Sequence, residues 1–391
     1  MAQSDNPNNS QKNPDDAAKT YPVARSIVVD KIGSSTGTKL HDRTVEVSDE
    51  IESAVGNVLV VRALREKSRY NQLELASGRM AKINVNDVIA GALGYRSALK
   101  GFVGDVPRRV KVGDVLHILN LGGVLGKCTS RHPDLGRPLE VEVMGMAVRD
   151  GKPVNIKDGA LPPEDKLGNT APLVVVAGTC MNSGKTTVAA ELIRRFTQFG
   201  HRVAGAKLSG VACLRDTLNM EDHGARRTLS FLDCGLPSTV RVPDLAPYCK
   251  AIVMKLMSAE PSVIVLELGD GIIGGYQVPT ILQDSELMGR TACLIMCAND
   301  LVGAWGAKAL MAEKGLKIDV VSGPVTDNEV GTAYVEKELK LPAANSMEAG
   351  EKLFNVVCDR VNAWVKSSSL EGPATADRSS SASFSSTPAS K

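Results

Sequence analysis

No run of about eighteen apolar residues, the length a helix needs to cross a bilayer, occurs in this chain. The opening stretch MAQSDNPNNSQKNPDDAAKT lacks the apolar core of a secretory signal. A cytoplasmic protein that does not enter membranes is expected. Charge of one sign is missing too: 46 Lys and Arg against 44 Asp and Glu leave +2, which gives no general attraction to nucleic acid or to an anionic bilayer. The basic stretch PRRVKVG (Pro107 to Gly113) has no interleaved aromatics and reads as a solvated face, so nucleic acid is not an expected partner. Aromatic residues are scarce at 4%, and the eight cysteines form no dense framework, with several inside apolar runs, which predicts reduced thiols. Cys293 and Cys297 would face one side of a strand as core packing. Cys128 and His132 have ligand-like spacing, but two ligands do not make a structural zinc site.

What remains is a globular composition, 43% apolar and 23% charged, on 391 residues, long enough for two or three domains. Residues 1–20 and the Ser-rich span 367–391 hold almost no large apolar side chains and read as disordered tails. Between 21 and 160 the apolar segments are short and β-branched (SIVVD, VLVVRAL, VLHILNLGGVLG, LEVEVMGMAV), with a turn signal at Gly113-Asp114 and no long amphipathic helix. That pattern predicts a small β-rich, barrel-like accessory domain.

After a Pro/Gly/Asp-rich connector the pattern becomes alternating strands and helices across 161–366. LVVVAG reads as a buried parallel strand, KTTVAAELIRRFTQFG as a helix closed by Gly200, and RVAGAKL as the next strand. A helix over 246–259, then SVIVLEL, ACLIMCA, the helix GAWGAKALMAEKG and KIDVVSG continue the series. The expected fold class is α/β: a doubly wound parallel sheet with a phosphate loop, preceded by the β-rich domain.

The phosphate loop is VVVAGTCMNSGKTT, residues 174–187. Five residues separate Gly178 from Gly184, one more than in the standard spacing, with Thr179 where the first glycine would stand. The physical requirements survive, because a strand-to-helix turn of small residues still converges N–H groups on a phosphate at a helix N-terminus. Gly184 lets the backbone approach, Lys185 supplies a mobile charge for phosphate oxygens, and Thr186 can join a Mg²⁺ shell.

GTCMNSGKTT, followed by GHRVAGAKLSG and VIVLELGDG, resembles the dethiobiotin synthetase-like branch of the phosphate-loop NTPases, in the wider group that includes signal-recognition GTPases and MinD-type ATPases. It is also similar to the nucleotide-binding half of D-glutamate N-acetyltransferase-type proteins. The resemblance covers about residues 173–345 and tolerates the longer loop. It implies nucleotide contacts from Gly178, Thr179, Asn182, Ser183, Gly184, Lys185, Thr186 and Thr187, and metal contacts from Thr186 and Glu267. Catalytic roles are implied for Lys185 and for Lys207, at the end of its strand. Asp270, beside Glu267, is an adjacent candidate for the metal or for proton transfer. The segment SGVACLRDTLNMEDHGARR offers Arg215, Asp216, Asp222, His223, Arg226 and Arg227 near a second substrate, with His223 a proton acceptor or ordinary surface.

The cofactors expected are ATP and Mg²⁺. Guanine is not supported: Asp300 stands where a guanine-reading carboxylate would, but the accompanying Asn and Lys are absent, while Asn328 offers a loose adenine contact. The function expected is an Mg²⁺-dependent ATP-binding enzyme, ligase-like, kinase-like or ATP-hydrolysing, that activates a small carboxylate or amine. Two alternatives stay open: an NTP-driven switch or assembly factor, and an acyltransferase whose loop holds the phosphates of acyl-CoA. A homo-oligomeric state is left open as well.

Overall fold

In VLVVRA, Val58–Ala63, successive side chains point to opposite faces of a strand, and both faces are buried: Leu59, Val61 and Ala63 join one apolar cluster, Val58 and Val60 another. The segment is therefore apolar at every position but Arg62 instead of alternating. Antiparallel pairing runs from Val88–Ala92 through Val58–Ala63, Leu139–Arg149 and Val115–Ile118 to Leu125–Arg131. A bridge between Leu93 and Leu125 brings the two ends of this path together around Leu59, Val61, Ile89, Leu116 and Val141. This β-rich half has helical segments only as the short 3-10 turns Ser34–Thr36 and Pro133–Leu135 among its described residues. The protein is seen here as a computed structural model that describes residues 19–40, 42–67, 70–370 and 384.

The second half is a six-stranded parallel sheet. Its strands in chain order are β1 Leu173–Gly178, β2 Val203–Lys207, β3 Arg227–Ser230, β4 Val263–Glu267, β5 Thr291–Cys297 and β6 Val320–Ser322. Their spatial order is β3-β2-β4-β1-β5-β6. The helices are α1 Lys185–Gln198, α2 Arg215–Asp222, α3 Ala246–Leu256, α4 Val278–Gln283, α5 Ser285–Gly289, α6 Leu301–Glu313, α7 Glu329–Lys337 and α8 Gly350–Leu370. Strand β1 again buries both faces. Val174 and Val176 pack with Leu192 and Phe196 of α1 and Phe354 and Val357 of α8, whereas Leu173 and Val175 pack with Ile252 of α3 and Ala307 of α6. Helices thus cover both faces of the sheet, the arrangement expected for continuous apolar strands.

The expected tails lie almost wholly outside the described residues. At the C-terminal end α8 continues to Leu370, into the span read as a tail. Phe384 is buried, its ring stacked 4.3 Å from that of His201 and its backbone bonded to the Asn362 side chain.

The two halves share one apolar cluster that includes Val58, Ala90 and Val124 from the β-rich half and Leu208, Ala212 and Phe231 from the α/β half. Polar contacts tie the seam: Asn120 Nδ2 donates to Ala212 O at 2.6 Å, and the Ser97 N–H donates to Tyr276 Oη at 3.2 Å. Gly122 packs so closely that an added Cβ would lie 2.1 Å from Ala212 O. Gly122→Ala is therefore expected to destabilise the protein by about 1–3 kcal/mol through overpacking against main chain. Urea unfolding followed by tryptophan fluorescence checks this, and an unchanged midpoint would show that the seam yields freely.

Candidate functional site

The strand order places a topological switch between β1 and β4. From β1 the chain moves to β2 and β3 on one side, and from β4 it moves to β5 and β6 on the other. Ligands of open α/β sheets bind at the carboxyl ends of strands beside such a switch. Here that edge carries the glycine-rich loop after β1 and Glu267, the last residue of β4.

The loop enters α1 through two left-handed residues, Asn182 at φ 60° and Gly184 at φ 86°. Asn tolerates that conformation better than most side chains, and Gly adopts it freely. The first backbone bond at this end of α1 runs from Val188 N–H to Gly184 C=O, so the N–H groups of Lys185, Thr186 and Thr187 are left for another acceptor. Gly178 is required by packing: a Cβ there would meet Ser183 Oγ at 2.3 Å. Lys185 is nearly buried, with its Nζ donating to Cys180 O at 2.7 Å and Ser183 Oγ at 3.3 Å. Burial, with the Lys207 charge beside it, lowers the Lys185 pKa from the ordinary lysine value.

The centre of the site is a polar cluster on three elements. Thr186 Oγ1 donates to Glu267 Oε1 at 2.8 Å, Lys207 Nζ lies 2.6 Å from the same oxygen, and Lys207 Nζ also lies 2.8 Å from Asp216 Oδ2 of α2. Burial pulls the Lys207 pKa down, but the two carboxylates outweigh it and raise it above the ordinary value. Burial pushes Asp216 up, and the Lys207 ammonium outweighs that and holds its carboxyl below the usual range. Asp270, at φ 61° in the loop after β4, is raised by burial against the pull of Lys185.

Glu267 is fully buried, and its Oε2 has no hydrogen-bond partner. Two further orphaned buried atoms, Asn299 Oδ1 and Ser322 Oγ, lie at the ends of β5 and β6. An orphaned carboxylate oxygen beside a threonine hydroxyl is an oxygen donor set that fits Mg²⁺, an ion usually held by one or two protein groups plus phosphates and water. No group of three or more His, Cys, Asp or Glu able to hold a metal exists among the described residues, so a metal here would depend on such outside oxygens.

These groups open into a cleft of about 890 Å³ lined by the loop from Met181 to Thr187, by Lys207, Glu267 and Asp270, and by faces of α1 and α2. Of the residues expected to touch nucleotide, Gly178 and Thr179 do not line it; Thr179 N–H donates to Cys297 O and ties the loop to β5. On α2 and its C-cap the helical spacing puts Asp216, Asn219 and His223 on one face, all lining the cleft, and His223 Nδ1 sits 2.7 Å from Asn219 O. Asp222, Arg226 and Arg227 are outside it, and Arg227 donates to Ser258 Oγ. Asp300 and Asn328 serve as local helix caps, accepting from Gly303 N–H in α6 and from Val330 and Gly331 N–H in α7. The sequence reading missed the ion pair of Asp216 with Lys207 and the contributions of Glu191, Arg194, Ser346 and Met347 to the cleft wall. Only Glu191 and Arg194 carry a local signal, lying one and two turns beyond Thr187 on α1.

The lowered Asp216 pKa has a consequence for stability. Its folded value lies below the ordinary 3.8, so the contribution is present above pH 3.8 and disappears as pH falls through the folded value. Asp216→Asn should thus be less stable than the parent at neutral pH, and the gap should close on acidification. Urea unfolding at a series of pH values measures it; a gap independent of pH would mean the pair contributes nothing.

No family model matches the chain, and no curated protein matches it. Solved structures similar to it include chloroplast FtsY from Physcomitrella patens, 15% identical, covering 52% of this chain and 70% of that one at a TM-score of 0.35. A second is the Signal Recognition Particle 54 kDa protein from Aeropyrum pernix in complex with GDP, 16% identical, covering 55% and 53% at 0.34. A third is a duf1611 family protein from Anabaena variabilis, 14% identical, covering 54% and 66% at 0.35. At these scores none of them bears on what this chain binds.

Proposed function

We propose that the cleft binds a nucleoside triphosphate with Mg²⁺ and directs its γ-phosphoryl group to water or to a small carboxylate or amine, with ATP as the nucleotide. The observation that supports this most is the buried Glu267 carboxylate, one oxygen held by Thr186 and Lys207 and the other orphaned, beside the free N–H groups of α1. The base assignment rests on Asp300, which is engaged as a helix cap and lacks the companion residues of a guanine reader. The position of Lys207 at the end of its strand supports a dethiobiotin synthetase-like reading of the α/β half.

In this reading the chain's own groups do the positioning. The N–H groups from Lys185 to Thr187 and the partial positive end of α1 receive the phosphates. Lys185 exchanges its bonds to Cys180 O and Ser183 Oγ for phosphate oxygens, which offsets the cost of its burial. Thr186 and Glu267 would hold Mg²⁺, which supplies charge neutralisation at the phosphate oxygens when bound. Asp216 keeps Lys207 protonated and anchored at the end of β2, where its charge can meet negative charge gathering on the transferred group. The wall formed by Asn219, His223 and Arg215 receives the second substrate.

Calorimetry with Mg·ATP, Mg·GTP and acetyl-CoA tests the reading, and binding of acetyl-CoA without either nucleotide would overturn it in favour of acyl transfer. Lys185→Ala should weaken Mg·ATP binding about ten- to a hundredfold, from the loss of a charge-assisted contact worth roughly 1.5–3 kcal/mol. Glu267→Gln should abolish Mg²⁺-dependent turnover, and wild-type turnover in that variant would remove the carboxylate from the site. Deletion of Met181 addresses the loop length: shortening the loop turns its N–H vectors away from a common point, so affinity should fall as far as in Lys185→Ala. A shortened protein that binds Mg·ATP like the parent would show that the turn does not need all four residues between Thr179 and Gly184.

A further inference from the structure

Glu74 ends the first strand of a hairpin, Gln72–Glu74 with Met80–Lys82, in the β-rich half. It is 1% exposed, and no cation pairs with it among the described residues. Four donors face it instead. Oε1 accepts from Arg215 N–H at 2.8 Å and Cys213 Sγ at 3.1 Å, and Oε2 accepts from Leu214 N–H at 2.6 Å and from Ser34 Oγ. Two of these donors are N–H groups at the start of α2, whose own N-cap residue Leu214 supplies no side-chain cap. A buried carboxylate without a counter-ion is costly, and the N–H groups and positive end of a helix are what can offset it.

The β-rich half holds the other side of this segment as well, through Asn120 to Ala212 O and the close approach of Gly122. The next residue after the capped pair is Asp216, the anchor of Lys207. A chain of direct contacts therefore runs from Glu74 through the first turn of α2 to Lys207, Glu267 and Thr186.

We propose that Glu74 is a positioning residue of the nucleotide site: it caps α2 from the β-rich half, sets Asp216 and through it Lys207, and so links occupancy of the cleft to the hold of the β-rich half on α2. The proposal rests on the nucleotide reading above and gives the first half of the chain a part in it. Linkage is reciprocal, so a ligand that fixes Lys207 must also tighten the capped turn.

Cys213 reports on that turn, because its thiol donates to Glu74 and it does not line the cleft. The test is site-resolved alkylation of Cys213 by N-ethylmaleimide, read by mass spectrometry, with and without the Mg²⁺ complex of the non-hydrolysable imido analogue of ATP. In the full-length parent the analogue should slow labelling about fivefold or more. Glu74→Gln should label about tenfold faster than the parent, and the analogue should no longer protect it. Asp216→Asn keeps the Glu74 contacts and cuts the link to Lys207, so at an analogue concentration that calorimetry shows to be saturating for the variant its labelling should no longer be slowed; this variant decides the question if Glu74→Gln does not fold. Protection that persists in Asp216→Asn, or binding to the parent without any change at Cys213, overturns the link alone. A parent that does not bind the analogue at all overturns the nucleotide reading itself.

Discussion

The site depends on one buried acid, Glu267, that the protein cannot satisfy alone. A fully buried carboxylate in an otherwise apolar strand must be paired, and Lys207 at the same level of the neighbouring strand provides the pair. Lys207 is then itself a buried charge with more than one acid to satisfy it, since Asp216 of α2 bonds it from the other side. Thr186 completes the set from the first turn of α1. The result leaves one oxygen of Glu267 without a donor. A purely structural ion pair has no reason to leave an orphan oxygen, since one more hydroxyl or amide nearby would close the network. An orphan that persists at the switch point of a parallel sheet is better explained by a ligand that brings the missing positive charge.

That requirement extends into the first half of the chain. Asp216 can hold Lys207 only if α2 starts at the right place, and α2 is a short polar helix with few means of fixing its own start. Thr217 and Met220 are its buried residues, and no cap comes from its own sequence. Its N-terminus is fixed by a carboxylate of the hairpin, and the hairpin is fixed by the β-rich core that shares an apolar cluster with the sheet. The doubly buried strand Val58–Ala63 shows why the halves are not separate beads: one of its faces fills the curled sheet, and the other joins the apolar cluster that both halves share. The halves differ in architecture along the chain, and their cores are continuous through that shared cluster.

This also explains which parts could be read from sequence. Strand β1, the loop and α1 are local: an apolar run, small residues with a left-handed Asn and Gly, then a helical pattern closed by Gly200. Lys207 and Glu267 were legible as polar ends of apolar strands. Helix α2 was not, because its start signal lies 140 residues away at Glu74. Strand β3, RTLS, escaped notice because it is a short, half-buried edge strand with no apolar run. Phe384 is a single aromatic in a serine-rich stretch, and its place is set by ring contacts with Phe196 and His201 far away in the sequence. Asp300 and Asn328 look like base readers by position, yet each stands directly before a helix, where short polar side chains cap free N–H groups more often than they do anything else.

The odd spacing of the loop follows from the same geometry. Gly178 must remain glycine because the loop folds back over it, with Ser183 Oγ occupying the space of a side chain, and Thr179 bonds back to Cys297 of β5 before the loop begins to rise. The residues that line the cleft start only at Met181, so the functional turn is counted from Thr179 and has the ordinary number of residues between it and Gly184. The additional residue belongs to the strand end, where it lets β1 stay paired with β5 up to Gly178 while the turn itself keeps its shape. What looks in sequence like an overlong phosphate loop is a turn of ordinary length that starts at Thr179, one residue beyond the glycine that ends the strand.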